Sequence, residues 1–149
     1  MLIVDYQSKS YHRFLSDMQQ IENYKTRFLI TFNGANENEL IAAAADLTEN
    51  TNNQIKHSAA INNKASESEV AELFTEVRNS RDILLFENAD LLFGKKTELK
   101  TSHERDNGFD INNLFKSIAK HNGIVILANA TKQTLSATMS SKMDVLIRF

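Results

Sequence analysis

Cysteine and proline are absent from this chain of 149 residues, and glycine occurs only at Gly34, Gly94, Gly108 and Gly123. Without cysteine there is no disulfide, no zinc–thiolate centre and no thiol nucleophile. Without proline, turns fall to glycine, asparagine and serine, and four glycines are too few for several glycine-rich motifs. Strong positive charge is missing as well. The net charge is −2 and no lysine/arginine run exceeds Lys95-Lys96, so the basic surface that a general nucleic-acid binder needs is not expected. No apolar run approaches the ~18 residues that span a membrane. The opening "MLIVDYQSKS" has an apolar patch but neither a basic leader nor a cleavage-like site, so no signal peptide is expected and a cytoplasmic location is the default. His12, His57, His103 and His121 lie far apart without an i,i+4 pair, which disfavours a metal site. There is no Gly-x-Ser-x-Gly nucleophile motif.

What is present is ordinary globular material, 42% hydrophobic and 24% charged, enough for one domain with a sizeable core. Tyr11, Phe14, Leu15, Met18 and Ile21 form one stripe of an amphipathic helix over 10–22, with Ser10 as a cap. Short apolar runs at 27–32, 55–61, 83–86, 124–128 and 145–149 read as strands. Between them come helices: one from Asn38 to about Asp46; one at 66–80 with a Ser66/Glu69 capping box and a Val70, Leu73, Phe74, Val77 stripe; one at 110–121 with Ile111, Leu114, Phe115 and Ile118 inward, closed by Asn122-Gly123; and one at 134–142. Residues 94–108 read as a long polar loop. Wholly apolar strands alternating with amphipathic helices predict an α/β domain with a parallel sheet covered on both faces. Ligands of such sheets sit at the carboxyl ends of the strands, where Asn33-Gly34, Glu87-Asn88 and Asn129 fall.

"TFNGANENELIAAAADL", Thr31 to Leu47, has the outline of a phosphate-binding loop: a β-prone run, a glycine turn, then a helix. Yet no lysine sits at the turn, and Glu37 and Glu39 do. A second account needs no ligand: Gly34 turns a strand into a helix whose first turn favours acids.

Residues 83–149 resemble the core of an AAA+ ATPase. The stretch "ILLFENADLLFGKKTELKTSHERD" is similar to that family's second nucleotide motif and its continuation, with "LFGKKTE" and "SHERD" most like the members that accompany contractile injection systems. The likeness continues through the helix at 110–121, "IVILAN" and "VLIRF", about half the chain; the first half fits by order of elements. The resemblance implies a three-layer P-loop NTPase-like domain over 1–149, with a five-stranded parallel sheet in the order 5-1-4-3-2 and no helical lid.

The family's site residues carry over position by position. The phosphate loop G-x-x-x-x-G-K-[ST] uses glycines for close amide approach, a lysine for charge and a hydroxyl for magnesium. Counted from Gly34, these last three places hold Glu39, Leu40 and Ile41. Glu37 and Glu39 would face a polyanion, and one like-charge pair at ~4 Å costs roughly 1 kcal/mol in water and about 4 at an effective dielectric of 20. The metal-binding aspartate and water-activating glutamate correspond to Glu87 and Asn88. Glu87 can still ligate a metal through water, whereas Asn88 cannot accept a proton at neutral pH; the pair also reads as polar residues closing a strand. The phosphate-sensing asparagine falls on Ala130, with Asn129 one residue earlier and so on the opposite side of the strand. The arginine fingers fall at Ser141 and Lys142; Lys142 keeps a charge without the planar fork, and reads equally as a surface lysine. Lys95, Lys96, His103 and Arg105 make either a contact surface or a solvated loop.

The expectation is an AAA+ ATPase-like pseudoenzyme that has lost hydrolysis, needs no cofactor, and serves as an interaction module. Its partner would be a protein, such as an AAA+ ATPase or a second copy, with no nucleic acid or membrane, and it would be a monomer or dimer. The alternative is residual ATP and magnesium binding through Lys142, Glu87 and loop amides. A third is an inherited fold reused for unrelated binding.

Overall fold

A computed structural model describes residues 1–24, 27–61, 67–89 and 110–149. In chain order the elements are β1 (Leu2–Asp5), α1 (Lys9–Tyr24), β2 (Phe28–Asn33), α2 (Glu37–Thr51), β3 (Ile55–Ala60), α3 (Glu67–Glu76), β4 (Ile83–Glu87), α4 (Ile111–Lys120), β5 (Ile124–Asn129), α5 (Ala137–Lys142) and β6 (Val145–Arg148). The strands form one parallel sheet in the order β1-β6-β2-β5-β4-β3. Numbering β2 as the first strand and β6 as the fifth gives the expected 5-1-4-3-2, so the core is α/β and AAA+-like in topology. β1 is an addition at the edge.

All six residues of β2 and of β5 are buried, because helices cover both faces of the sheet. Alternate residues of a strand point to opposite faces. Phe28, Ile30 and Phe32 meet Phe14, Met18, Leu40 and Leu47 of α1 and α2. Leu29, Leu84, Phe86, Val125 and Leu127 meet Val70 and Leu73 of α3, Leu114 of α4 and Met139 of α5. Each fully buried side chain of this size contributes roughly 1.5–3 kcal/mol.

The stripe expected for α1 is the buried one, with Ile21 packed at its margin. Its cap is Ser8 rather than Ser10: the Ser8 hydroxyl accepts from Tyr11 N at 3.2 Å and donates to the Asp5 carbonyl at 2.6 Å. Tyr11, fully buried, donates its hydroxyl to Asp46 at 2.7 Å and so ties α1 to α2. Burial, and then the Asp46 carboxylate, push the phenol far above its ordinary value.

The N-terminal apolar patch is a strand, which local pattern did not reveal. β1 pairs with β6 from Leu2↔Val145 to Asp5↔Arg148. Arg148 Nε and Nη2 donate to the two Asp5 oxygens at 2.7 and 3.1 Å. Tyr6 packs on Phe149 with ring centroids 4.5 Å apart.

Further boundaries differ from expectation. α2 runs on to Thr51 instead of ending near Asp46, with Asn52 as its left-handed cap, and α3 ends at Glu76 rather than at 80. α4 ends at a His121 cap in extended backbone (φ −83°) and not at a left-handed Asn122-Gly123 turn. Gly123 serves close packing: a Cβ there would lie 2.6 Å from His121 Nε2 and 3.0 Å from the Asp82 carbonyl. α5 begins at Ala137 rather than at 134, because the Ser136 hydroxyl accepts from Met139 N at 3.2 Å and sets the first turn. The loop at 94–108 and the Ser66 half of the capping box lie outside the described residues.

Candidate functional site: the turn at Gly34

β2 and β5 run side by side to their carboxyl ends, with Asn33 opposite Asn129. The chain leaves β2 through Gly34 at φ +87°, a left-handed conformation that glycine tolerates and side chains resist. A Cβ at Gly34 would collide with Lys132 Cγ, so the aliphatic stem of Lys132 covers the glycine.

The amides of this turn point at the protein's own oxygens. Gly34 N donates to the Asn129 carbonyl at 3.0 Å and lies 3.2 Å from the Asn129 side-chain oxygen. Ala35 N donates to the same carbonyl at 3.1 Å. One step on, Asn36 caps α2. Its side chain accepts from Glu39 N at 2.8 Å, while the Glu39 carboxylate accepts from Asn36 N at 3.0 Å. This reciprocal pair satisfies two donors that a helix start otherwise leaves open. It also puts the Glu39 carboxylate at the positive end of the α2 dipole, which favours an anion.

The remaining phosphate-loop positions have structural places. Leu40 is buried against the α1–α2 face of the sheet, and Ile41 is 61% exposed on the outer side of α2. Asn129 is 2% exposed and faces the Gly34 turn, so the side of β5 opposite to Ala130 is the side that meets β2's loop. Among the described residues its side-chain nitrogen has no hydrogen-bond partner.

Glu87 ends β4 half-buried, and its carbonyl accepts from Ile61 N at 2.9 Å. Asn88 follows at φ +55° and is exposed, turning the chain out of the strand. Lys142 is not near Gly34. It closes α5 just before β6 starts, and its ammonium sits 4.9 Å from the centre of the Phe115 ring. The six residues of β2 separate the two ends of the sheet by roughly 20 Å, so Lys142 cannot serve the Gly34 turn of its own chain. Lys95, Lys96, His103 and Arg105 lie outside the described residues.

Two residues at the turn, Lys132 and Gln133, escaped the sequence reading. The Asn33 side chain donates to the Gln133 carbonyl at 2.9 Å and accepts from Gln133 N at 3.1 Å. The signal was topological: once β5 neighbours β2, the segment after β5 must pass the turn after β2.

The geometry defines a three-layer parallel α/β domain whose strand order is the one implied by the resemblance to AAA+ ATPases, with a strand–turn–helix at the usual place for an anion. Among solved structures, the chain is similar to PCH-2 of C. elegans, at 16% identity and a TM-score of 0.47, covering 93% of this chain and 39% of that one. It is also similar to the RuvB Holliday junction branch migration motor of Thermotoga maritima, at 12% identity and a TM-score of 0.48, covering 95% of this chain and 45% of that one. The chain therefore spans less than half the length of either. No family model matches the sequence, and no curated protein matches it.

Proposed function

We propose that this protein is a non-catalytic interaction module built on an AAA+-like core. The observation that carries this reading is the closure of the Gly34 turn by the chain itself. Two loop amides are held by the Asn129 carbonyl, and the helix start is filled by the Asn36–Glu39 pair. A triphosphate would have to displace these bonds while meeting Glu37 and Glu39 at close range, where like charges repel. Asn88, at the place of the general base, cannot take a proton. The partner is a protein, an AAA+ ATPase or a second copy of this chain, and the working state is a monomer or dimer in the cytoplasm.

Titration with ATP and ADP in the presence of magnesium, read by thermal unfolding, tests the reading. No shift in Tm is expected at millimolar nucleotide; an appreciable rise removes it. Light scattering is expected to give a monomer or dimer, and a stable hexamer would contradict the assignment.

Residual nucleotide binding is the second reading, and it draws on two features of the same turn. Lys132 brings a cation from the neighbouring loop, and the Asn129 side-chain nitrogen is an unused buried donor. Loss of an ATP-induced shift in Lys132→Ala would favour it.

A further inference from the structure

The sheet has two edges, β1 and β3, and they differ. Where β3 pairs with β4 the register shifts between Ile55 and His57, an irregularity of the kind that blunts an edge. The pairing of β1 with β6 runs in unbroken register from Leu2 to Asp5. Leu2 N donates to the Asp144 carbonyl at 3.0 Å and Tyr6 N to the Arg148 carbonyl at 2.8 Å. Peptide groups alternate in direction along a strand, so those of Leu2, Val4 and Tyr6 face β6 and those of Ile3 and Asp5 face outward. The Asp5 carbonyl is taken by Ser8, whose N and hydroxyl donate to it at 3.1 and 2.6 Å. Among the described residues, the Ile3 N–H and C=O and the Asp5 N–H have no partner. The side chains of this edge are apolar. Leu2 is 49% exposed and Ile3 47%, on opposite faces of the sheet, and with Met1 they make three of the four large hydrophobic side chains exposed among the described residues. The one charge, Asp5, is held by Arg148 of the neighbouring strand at 2.7 Å. No lysine or proline stands in Leu2–Asp5, so the edge lacks the residues that ordinarily prevent strand addition.

We infer that β1 pairs with β1 of a second copy of this chain, antiparallel about a two-fold axis at Ile3, so that two six-stranded sheets become one. The strand is complementary to itself. With Ile3 opposite Ile3, the two outward peptide groups exchange both hydrogen bonds, and each Asp5 N–H meets the Met1 carbonyl of the other copy. A two-fold at Val4 would instead aim the Ile3 N–H at the Asp5 carbonyl that Ser8 already occupies. Like charges stay apart as well. Asp5 lies opposite Met1, four positions from the other Asp5, roughly 13 Å along the strand and beyond a Debye length at physiological salt. A strand this short buries less than the ~1,200 Å² of a standard interface, so the pair forms by mass action and parts on dilution. The inference rests on the interaction-module reading and deepens it, choosing the second copy as partner and giving it a surface.

The test is sedimentation of the full chain over a range of about 1 to 500 μM. The average mass is expected to climb from one copy towards two. Ile3→Lys sets two ammonium groups against each other on the axis, and is expected to weaken association at least about tenfold with an unchanged urea midpoint, since Ile3 is half exposed. Ile3→Pro removes an N–H that the pairing with β6 does not use, and is expected to do the same. Ile41→Lys, at the fourth exposed hydrophobic side chain, is expected to leave association unchanged. The chain has no cysteine, so Ile3→Cys puts one thiol per copy on the axis, where directly opposite Cα atoms about 5.5 Å apart can be bridged. Under mild oxidation this variant is expected to give covalent dimer at least about tenfold faster than Ile41→Cys. A mass that stays at one copy, association untouched by Ile3→Lys, equal loss in Ile41→Lys, or equal cross-linking of the two cysteine variants would each overturn the inference, the first by leaving the edge to a strand of another protein. An ATP-induced Tm shift together with intact association would remove the non-catalytic reading and leave the edge pairing standing. No association and no ATP shift would remove the edge pairing alone.

Discussion

At the carboxyl ends of the strands, the Gly34 turn is occupied by its own chain: the Asn129 carbonyl on the amides, Asn36 and Glu39 on the helix start. At the amino ends, between α3 and α4, Arg78 and Lys120 are among the residues that line an open groove. The first region has the backbone geometry of an anion site and acidic side chains; the second has no such backbone device and positive side chains. Geometry and charge are separable. A strand–glycine–helix connection is held in place by folding alone, since Gly34 allows a turn that β2 and α2 both need. Side-chain charge on a surface is under no such constraint and can be placed wherever a partner docks.

Restoring the missing motif is the harshest way to break this comparison. Glu39→Gly, Leu40→Lys and Ile41→Thr together recreate a phosphate-loop sequence. Because Leu40 is buried in the core, the triple variant is expected to lose about 3 kcal/mol or more in urea unfolding and still to show no ATP-dependent Tm shift. A stable triple variant that binds ATP would mean the turn is not closed as described. Next in size is Gly34→Ala, which forces a Cβ into left-handed backbone and against Lys132. It should cost about 1–3 kcal/mol, and a neutral result in the same assay would contradict the Gly34 conformation. Removing the cap in Asn36→Ala should cost about 1 kcal/mol, measured as a lowered urea midpoint at constant m-value.

The smallest effect belongs to the amino end and is absent at neutral pH. His121 has a folded pKa below its ordinary value because burial opposes the charged ring. Between that lowered value and the unfolded imidazole value of about 6.5, the unfolded state binds more protons. Stability is therefore unaffected by this group above about pH 6.5 and falls as the pH drops below it. Unfolding free energies measured from pH 7.5 to 5 are expected to show this slope in the parent protein and a shallower one in His121→Gln.

Much of the fold was legible before any coordinates. β2, β4 and β5 are short, apolar and glycine- or asparagine-bounded, and the helices announce themselves by stripes such as Tyr11–Phe14–Leu15–Met18. β1 was not legible, because "LIVD" is exposed at every residue but Val4 and becomes a strand only by pairing with residues more than 140 positions away. The site was legible in part. Gly34 and Asn129 stood out by type and position, and they do meet. The closure of the loop amides did not, since it rests on the Asn129 carbonyl, which carries no local signal; the Asn36–Glu39 pair that fills the helix start has the spacing of a capping box. Lys142, at the arginine-finger position, was expected to share a nucleotide site with the Gly34 turn, and the sheet puts it at the opposite end.

The sequence by itself determined where the five core strands and the helices lie, that the sheet is parallel and covered on both faces, and that no cation from its own segment sits at the Gly34 turn; periodicity, turn chemistry and charge are properties of neighbours along the chain. Only the tertiary structure decided that Asn129 seals that turn, that β1 completes the edge, and that Arg78 and Lys120 share a groove. Those depend on which elements lie side by side, and contact between distant segments is set by the packing of the whole core.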